Sequence, residues 1–283
     1  MLCIFIIDGK YEILKQIGRG GFCTTYLAVN TRVNVVWAMK LFDKTTRDIN
    51  SELRAQFLKE ANMMKMIDHT AVPKVVDIIE DNTGIFIVMD YIEGETLDSI
   101  VKQCGAQPAD KVIEWAKQIC VVLGYFHSHN PPLIYRDVKP HNLILTTYGM
   151  VKFVDFGIMR AYKPNQARDT CCLGTMGYAA PEQFGGSQTD ARTDIFGLGM
   201  TMFHLVTGIA PNESPYKIKP IRSIDPNLPK GLEYIITKCT QPNPAERYQS
   251  CEELLTDLNN YHELPKSKGV FSKNGFLSKV FKN

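Results

Sequence analysis

Tyr135-Arg136-Asp137-Val138-Lys139-Pro140-His141-Asn142, followed by Asp155-Phe156-Gly157 and then Ala180-Pro181-Glu182, decides how this chain is read. The stretch sets a carboxylate (Asp137), an ammonium (Lys139) and an amide oxygen (Asn142) close together, and a second carboxylate (Asp155) follows. Carboxylate and amide oxygens are the donors that hard divalent cations prefer. Each motif alone is a weak signal, because such polar residues also cap turns. Three of them in this order, at these gaps, corroborate one another.

Outward from that stretch the chain divides by pattern. Upstream, residues 11–42 read as strand, glycine turn, strand and a third strand, with Val33, Val35, Val36 and Trp37 supplying β-branched and aromatic character. Residues 51–67 read as a helix in which Leu53, Phe57, Ala61 and Met64 form one apolar face. Val72–Ile79 and Ile85–Tyr91 read as two further strands, turning at Asp81-Asn82-Thr83-Gly84. After Gly94 helices take over. A long one is expected over 109–129, ended by Asn130-Pro131-Pro132. Residues 133–157 read as short strands and loops. Asp194–Thr207 is apolar almost all round, the mark of a buried helix. Ser250-Cys251-Glu252-Glu253 reads as a capping box opening a last helix that runs to about Tyr261.

Strands first and helices second is α+β logic in two lobes. The expected division is a small β-rich N-lobe over 1–90, a hinge and larger helical C-lobe over 91–262, and a basic tail over 263–283. The apolar start, Met1–Ile7, is too short to span a bilayer and lacks a basic n-region and a cleavage site, so a leading strand on the small lobe is expected.

Composition narrows the class. A hydrophobic fraction of 45% over 283 residues allows a sizeable core. A net charge of +2 is too close to neutral to argue for nucleic acid as a partner. The eight cysteines show no CxxC or zinc spacing, so free thiols in a reducing compartment are the simpler reading. No apolar run approaches transmembrane length. The expectation is a cytoplasmic location, with peripheral membrane contact through the tail left open.

The motif series resembles the eukaryotic-type protein kinases, over about residues 9–262. The resemblance implies a bilobal protein kinase fold and transfer of a phosphoryl group from ATP with Mg²⁺, chemistry that depends on alignment and charge neutralisation. It makes Asp137 the base, Lys139 the phosphate lysine, and Asn142 and Asp155 the metal ligands. Gly18-Arg19-Gly20-Gly21-Phe22 lies between two expected strands, where glycines let backbone N–H groups approach phosphates. Ala38-Met39-Lys40 follows on the third strand and Glu60 on the next helix, and the resemblance pairs Lys40 with Glu60. Cys23 stands where the family has its third loop glycine and Thr25 where it has valine. Both bear on nucleotide affinity, and neither removes a charged catalytic group. Ala38 and Ile144 suit the walls of an adenine slot, Met89 takes the gatekeeper position, and Asp90-Tyr91-Ile92 the hinge, with backbone atoms of Asp90 and Ile92 toward adenine.

Downstream, Gly174-Thr175-Met176-Gly177-Tyr178-Ala179-Ala180-Pro181-Glu182 resembles the substrate platform of protein kinases, and Arg247 the arginine that pairs with Glu182. Lys139 and Thr175 resemble the serine/threonine class, and Tyr135 in place of histidine resembles bacterial members. The implied function is phosphorylation of serine and threonine hydroxyls of protein substrates, autophosphorylation included. A pseudokinase scaffold, suggested by Cys23 and Thr25, and a small-molecule phosphotransferase are the alternatives.

In similar kinases the arginine before the base, here Arg136, grips a phosphorylated loop. That makes Thr170 the candidate phosphosite, against a plain solvated threonine. Arginine-directed kinases carry acids where this chain has His141 and His204, so no strong arginine preference is expected. In the tail, Lys266, Lys268, Lys273, Lys279 and Lys282 accompany Phe276, Leu277, Val280 and Phe281. This composition suits either weak membrane-surface contact or a disordered end.

Overall fold

The structure, a computed structural model, describes residues 6–19, 23–43, 51–157, 159–162, 174–185, 187–211 and 218–264. Its first part is a six-stranded antiparallel sheet in the order β1-β2-β3-β4-β6-β5. The strands are β1 (Ile6–Ile7), β2 (Tyr11–Arg19), β3 (Cys23–Asn30), β4 (Val35–Asp43), β5 (Val75–Glu80) and β6 (Gly84–Asp90). Side chains alternate across a strand, so the two faces of β4 do different things. Ala38 and Phe42 point into the main core with Ile85, Ile87 and Met89. Met39 turns to the opposite face with Tyr11, Ala28, Phe86 and Val88. The same alternation puts Lys40 on the inward face, beneath helix α1 (Ser51–Lys65).

Helix α1 buries Phe57, Ala61 and Met64, and Phe57 stacks on Phe42 at 5.4 Å between ring centroids. Val33 differs from the sequence expectation. It is exposed in the turn between β3 and β4, where Asn34 adopts φ 54. β-branching favours extended backbone, but the chain must reverse at this point. The leading strand is present as Ile6–Ile7, with Ile7 paired to Tyr11.

The rest is mostly helical: α2 (Leu97–Cys104), α3 (Ala109–His127), α4 (Ala191–Thr207), α5 (Ile221–Ile224), α6 (Lys230–Cys239) and α7 (Cys251–Asn259). Among the described residues, five short strands lie between them: β7 (Glu95–Thr96), β8 (Leu133–Ile134), β9 (Leu143–Leu145), β10 (Val151–Phe153) and β11 (Arg160–Ala161). Thr96 caps α2 by accepting from the Ser99 N–H at 3.0 Å. Helix α4 is buried along almost its whole length. It starts at Ala191, earlier than its apolar stretch suggests, because its N-cap Asp190 forms a reciprocal capping box with Thr193. Ser250 caps α7 through the Glu253 N–H at 3.2 Å, but the expected box is only half made. The Glu253 carboxylate accepts from the Gln249 N–H at 2.8 Å and from Lys238 at 2.6 Å instead.

This architecture is the bilobal α+β arrangement expected from the sequence, and its two parts meet where Lys40 of β4 reaches Asp155 beyond β10. Among the described residues no helix is long and apolar enough to cross a membrane.

Candidate active site

Lys40 is the meeting point of three elements. Its ammonium lies 2.7 Å from Glu60 of α1 and 3.1 Å from Asp155. Burial alone would lower the Lys40 pKa, but Glu60 and then Asp155 outweigh it and hold it above its ordinary value. Burial would raise Asp155, yet the same ammonium, helped by the Gly157 N–H, holds it below. Burial pushes the Glu60 carboxyl up, and Lys40 opposes this. Two carboxylates against one ammonium leave the cluster short of positive charge, a setting that favours a further cation.

The second cluster forms around Asp137. One carboxylate oxygen accepts from Thr175 Oγ1 at 2.8 Å. The other accepts from Lys139 Nζ at 2.8 Å and Asn142 Nδ2 at 2.7 Å. Lys139 also donates to Thr175 Oγ1 at 2.6 Å. Asn142 thus commits its amide nitrogen to Asp137, and its carbonyl oxygen is the atom it could offer to a metal. Asp155 spends Oδ1 on Lys40 and Gly157, and its side chain is 46% exposed. An amide oxygen and an open carboxylate are hard donors suited to Mg²⁺, an ion that takes few protein ligands and completes its shell with water and phosphate. Among the described residues no group of three or more His, Cys, Asp or Glu could hold a metal by itself.

The loop carrying Asp137 is held rigidly. Arg136 has φ 69, a left-handed conformation costly for a side-chain-bearing residue. Its N–H donates to Asp194 at 2.6 Å, and its carbonyl accepts from Gln183 at 2.9 Å. Asp194 also accepts from the Tyr135 N–H at 2.9 Å and meets His127 Nε2 at 2.8 Å. Burial would lower the His127 pKa, but its bonds to Asp194 and Cys251 raise it to about 10. Helix α4 comes close enough to do this because of Gly197, where an added Cβ would sit 3.1 Å from that of Val138. Tyr135 buries its ring among Phe126, Phe153 and Phe156, at centroid distances of 6.2, 5.0 and 5.4 Å. The ring thereby packs the start of the Asp137 loop onto the core.

Ala38 and Met89 lie opposite each other in the β4–β6 ladder, both buried. Asp90 ends β6 with its N–H on the Lys74 carbonyl at 3.1 Å and its carboxylate on the Lys74 N–H at 2.9 Å. Ile92 follows, half-buried, and Ile144 sits on β9 between Thr96 and Lys152. Gly18 and Arg19 end β2, with Thr25 of β3 paired to Gly18 and Lys40. Cys23 opens β3 and packs on the core, and burial pushes its thiol up to about 11 against the pull of Lys40. Gly20, Gly21, Phe22 and Thr170 lie outside the described residues, as do residues 265–283.

The platform is fixed from below. Arg247 grips Glu182 through two nitrogens, at 2.7 and 3.0 Å, with both side chains buried. Arg247 also donates to the carbonyls of Arg192, Gln241 and Pro242. This is the structural pairing expected from the sequence. Sequence reasoning missed Asp194, His127 and Gln183 as supports of the loop that carries Asp137. A signal existed for Asp194, a lone carboxylate in an otherwise apolar helix, because a buried charge must have partners. It also missed Asp98, which stands beside His141 with Nδ1 to carboxylate at 3.9 Å.

The protein kinase domain family matches residues 11–263. Serine/threonine-protein kinase PrkC of Bacillus subtilis is 31% identical over 264 residues, covering 89% of this chain and 40% of that protein. Serine/threonine-protein kinase PknB of Mycobacterium tuberculosis is 32% identical over 275 residues, covering 90% of this chain and 43% of that protein. The chain thus spans about two fifths of the length of these curated relatives.

Proposed function

This chain belongs to the protein kinase family, and on that premise we propose that it transfers the γ-phosphoryl group of ATP to serine or threonine hydroxyls of protein substrates. The observation that carries the proposal is the convergence of Lys139, Asn142 and Thr175 on the Asp137 carboxylate. Three donors fix its orientation before a substrate arrives, which is the positioning that phosphoryl transfer needs.

In this reading Asp137 takes the hydroxyl proton while the hydroxyl oxygen bonds to the γ-phosphorus and the bond from phosphorus to the ADP oxygen breaks. Lys139 faces the charge that gathers on the moving phosphoryl group. Lys40, held by Glu60, places the α- and β-phosphates. Asn142 and Asp155 would hold Mg²⁺, which when bound would neutralise phosphate charge. Gly18 to Cys23 and Thr25 cover the phosphates. Ala38, Met89 and Ile144 line the adenine slot, and backbone atoms of Asp90 and Ile92 bind the purine edge. The serine/threonine names of PrkC and PknB favour this class over a scaffold or a small-molecule kinase. Thr170 is proposed as a phosphosite read by Arg136.

Incubation with γ-labelled ATP, magnesium and a generic protein substrate tests the proposal. Label on protein serine or threonine supports it. Binding of ATP without transfer, or label only on small metabolites, refutes it. The lysines of residues 265–283 add a proposed weak, salt-sensitive contact with anionic membrane. Equal sedimentation with anionic vesicles of the full chain and a chain cut after Leu264 would rule that contact out.

A further inference from the structure

Helix α7 packs on α3 at Gly124, where an added Cβ would already touch the Cβ of Cys251 at 3.5 Å. Cys120 and His127 flank Gly124 on the same face of α3, and both reach Cys251, the first residue of α7. The Cys120 thiol donates to the Cys251 carbonyl at 3.1 Å. His127 turns its Nδ1 to the Cys251 sulfur at 3.5 Å, hydrogen-bond range for this larger, weaker acceptor. The other ring nitrogen, Nε2, meets Asp194 at 2.8 Å, and Asp194 holds the N–H groups of Tyr135 and Arg136. Cys251, His127 and Asp194 therefore form one chain of hydrogen bonds from α7 to the loop that carries Asp137.

We infer that Cys251 is a positioning residue for phosphoryl transfer, acting through His127 and Asp194 to hold the loop on which Asp137 sits. The inference rests on the phosphotransfer reading of this site.

The chemistry of the three groups gives the chain its direction. Asp194 is fully buried, His127 nearly so, and Cys251 is buried beside them. A carboxylate only accepts, so Nε2 of His127 carries a proton and donates it to Asp194. Burial would lower the His127 pKa, yet Asp194 from α4 and Cys251 from α7, the titratable groups that face its ring, hold it at about 10. The ring is therefore an imidazolium at neutral pH, and Nδ1 must donate as well. The Cys251 sulfur is the acceptor for that second proton. Contact with Cys120 and then burial hold the Cys251 thiol well above its usual pKa, so it stays neutral and serves as an acceptor rather than a counter-ion. A buried imidazolium N–H with no acceptor is costly. Without the sulfur the ring sheds its proton or turns from its place. On either path Asp194 loses a charge-assisted partner while still holding Tyr135 and Arg136.

The test compares the full wild-type chain with Cys251→Ala and with a control, Cys239→Ala. Cys239 is also a buried thiol, but it faces Gly199 of α4. Three quantities are followed: the His127 titration by NMR, exchange of the Tyr135 and Arg136 amide hydrogens, and turnover with labelled ATP against pH. Cys251→Ala should lower the His127 pKa by about one unit, a roughly tenfold loss of proton affinity and the worth of one hydrogen bond to a charged group. The Tyr135 and Arg136 amides should exchange faster than in the wild type. From a wild-type value of about 10, the loss of kcat should grow with pH and reach about threefold at about pH 9.5, as the protonated fraction of His127 falls by that factor, with KM for ATP unchanged. Cys239→Ala should move none of the three. Cys251→Val, which keeps the site filled without an acceptor, carries the same expectation where Cys251→Ala folds poorly. An unchanged His127 pKa in Cys251→Ala, high-pH turnover that follows the wild type, or an equal response to Cys239→Ala overturns the inference. A lowered His127 pKa and faster amide exchange, with no transfer even in the wild type, would uphold the hold of Cys251 on the loop and reject the phosphotransfer reading. Transfer that does not respond to Cys251→Ala at any pH would do the reverse.

Discussion

Asp194→Asn is the substitution that bears hardest on how this fold holds its catalytic loop. The wild-type carboxylate is buried and meets three partners: the Arg136 N–H on one oxygen, the Tyr135 N–H and His127 Nε2 on the other. Asparagine has nearly the same shape but only one acceptor oxygen. If that oxygen faces Tyr135 and His127, the amide NH₂ confronts the Arg136 N–H. If it faces Arg136, two partners are lost. Either way at least one charge-assisted bond disappears and two buried donors are left facing each other. Each such loss costs about 1–3 kcal/mol, so the expected destabilisation is about 3–5 kcal/mol. Urea unfolding at constant m reads it directly.

The effect should depend on pH. His127 has a folded pKa of about 10, above its ordinary value of 6.5. Its contribution is therefore complete below pH 6.5 and is lost as pH rises toward about 10. The difference between wild type and variant should shrink over that window. Turnover should fall as well, because the left-handed Arg136 loses its Asp194 restraint next to Asp137. A variant within about 1 kcal/mol of wild type, with unchanged pH dependence, would refute this account of the loop.

Arg247→Met should destabilise the protein by about 3–5 kcal/mol, because it leaves the Glu182 carboxylate buried without its bidentate partner. A melting temperature close to wild type would show that the pair is dispensable. Cys23 should react with iodoacetamide more slowly than the exposed Cys104 at neutral pH, since burial pushes its thiol up to about 11. Peptide mass spectrometry finding Cys23 modified first would contradict that environment. Lys40→Met should abolish transfer in a folded protein, because the phosphates lose their placement while Glu60 and Asp155 lose the ammonium between them. Retained turnover would remove Lys40 from the proposed machinery.

Much of the site is legible in the sequence because its parts lie in short motifs whose residue types are fixed by chemistry. Asp137, Lys139 and Asn142 fall within one loop, and that loop brings them into direct contact. Lys40 and Glu60 are paired in the sequence through the resemblance to kinases, and the structure holds the two at 2.7 Å. What escapes is contact made across elements by residues with an ordinary local appearance. Asp98 reads as an acid in the first turn of a helix, and only the docking of α2 against the catalytic loop puts it beside His141. Asp194 reads as the start of an apolar helix, while its bonds reach back to residues 135 and 136. Val33 and the Glu253 half of the capping box fail for a local reason. A turn overrides strand propensity in the first, and Lys238 draws the carboxylate away in the second.

The most direct test of the central claim is turnover of folded Asp137→Asn with labelled ATP, magnesium and a protein substrate. Removal of a positioned base is expected to lower the rate by roughly 10²–10⁴ while nucleotide binding stays near wild type. Near wild-type turnover in that variant would contradict the assignment of Asp137 as the base and, with it, the reading of the site.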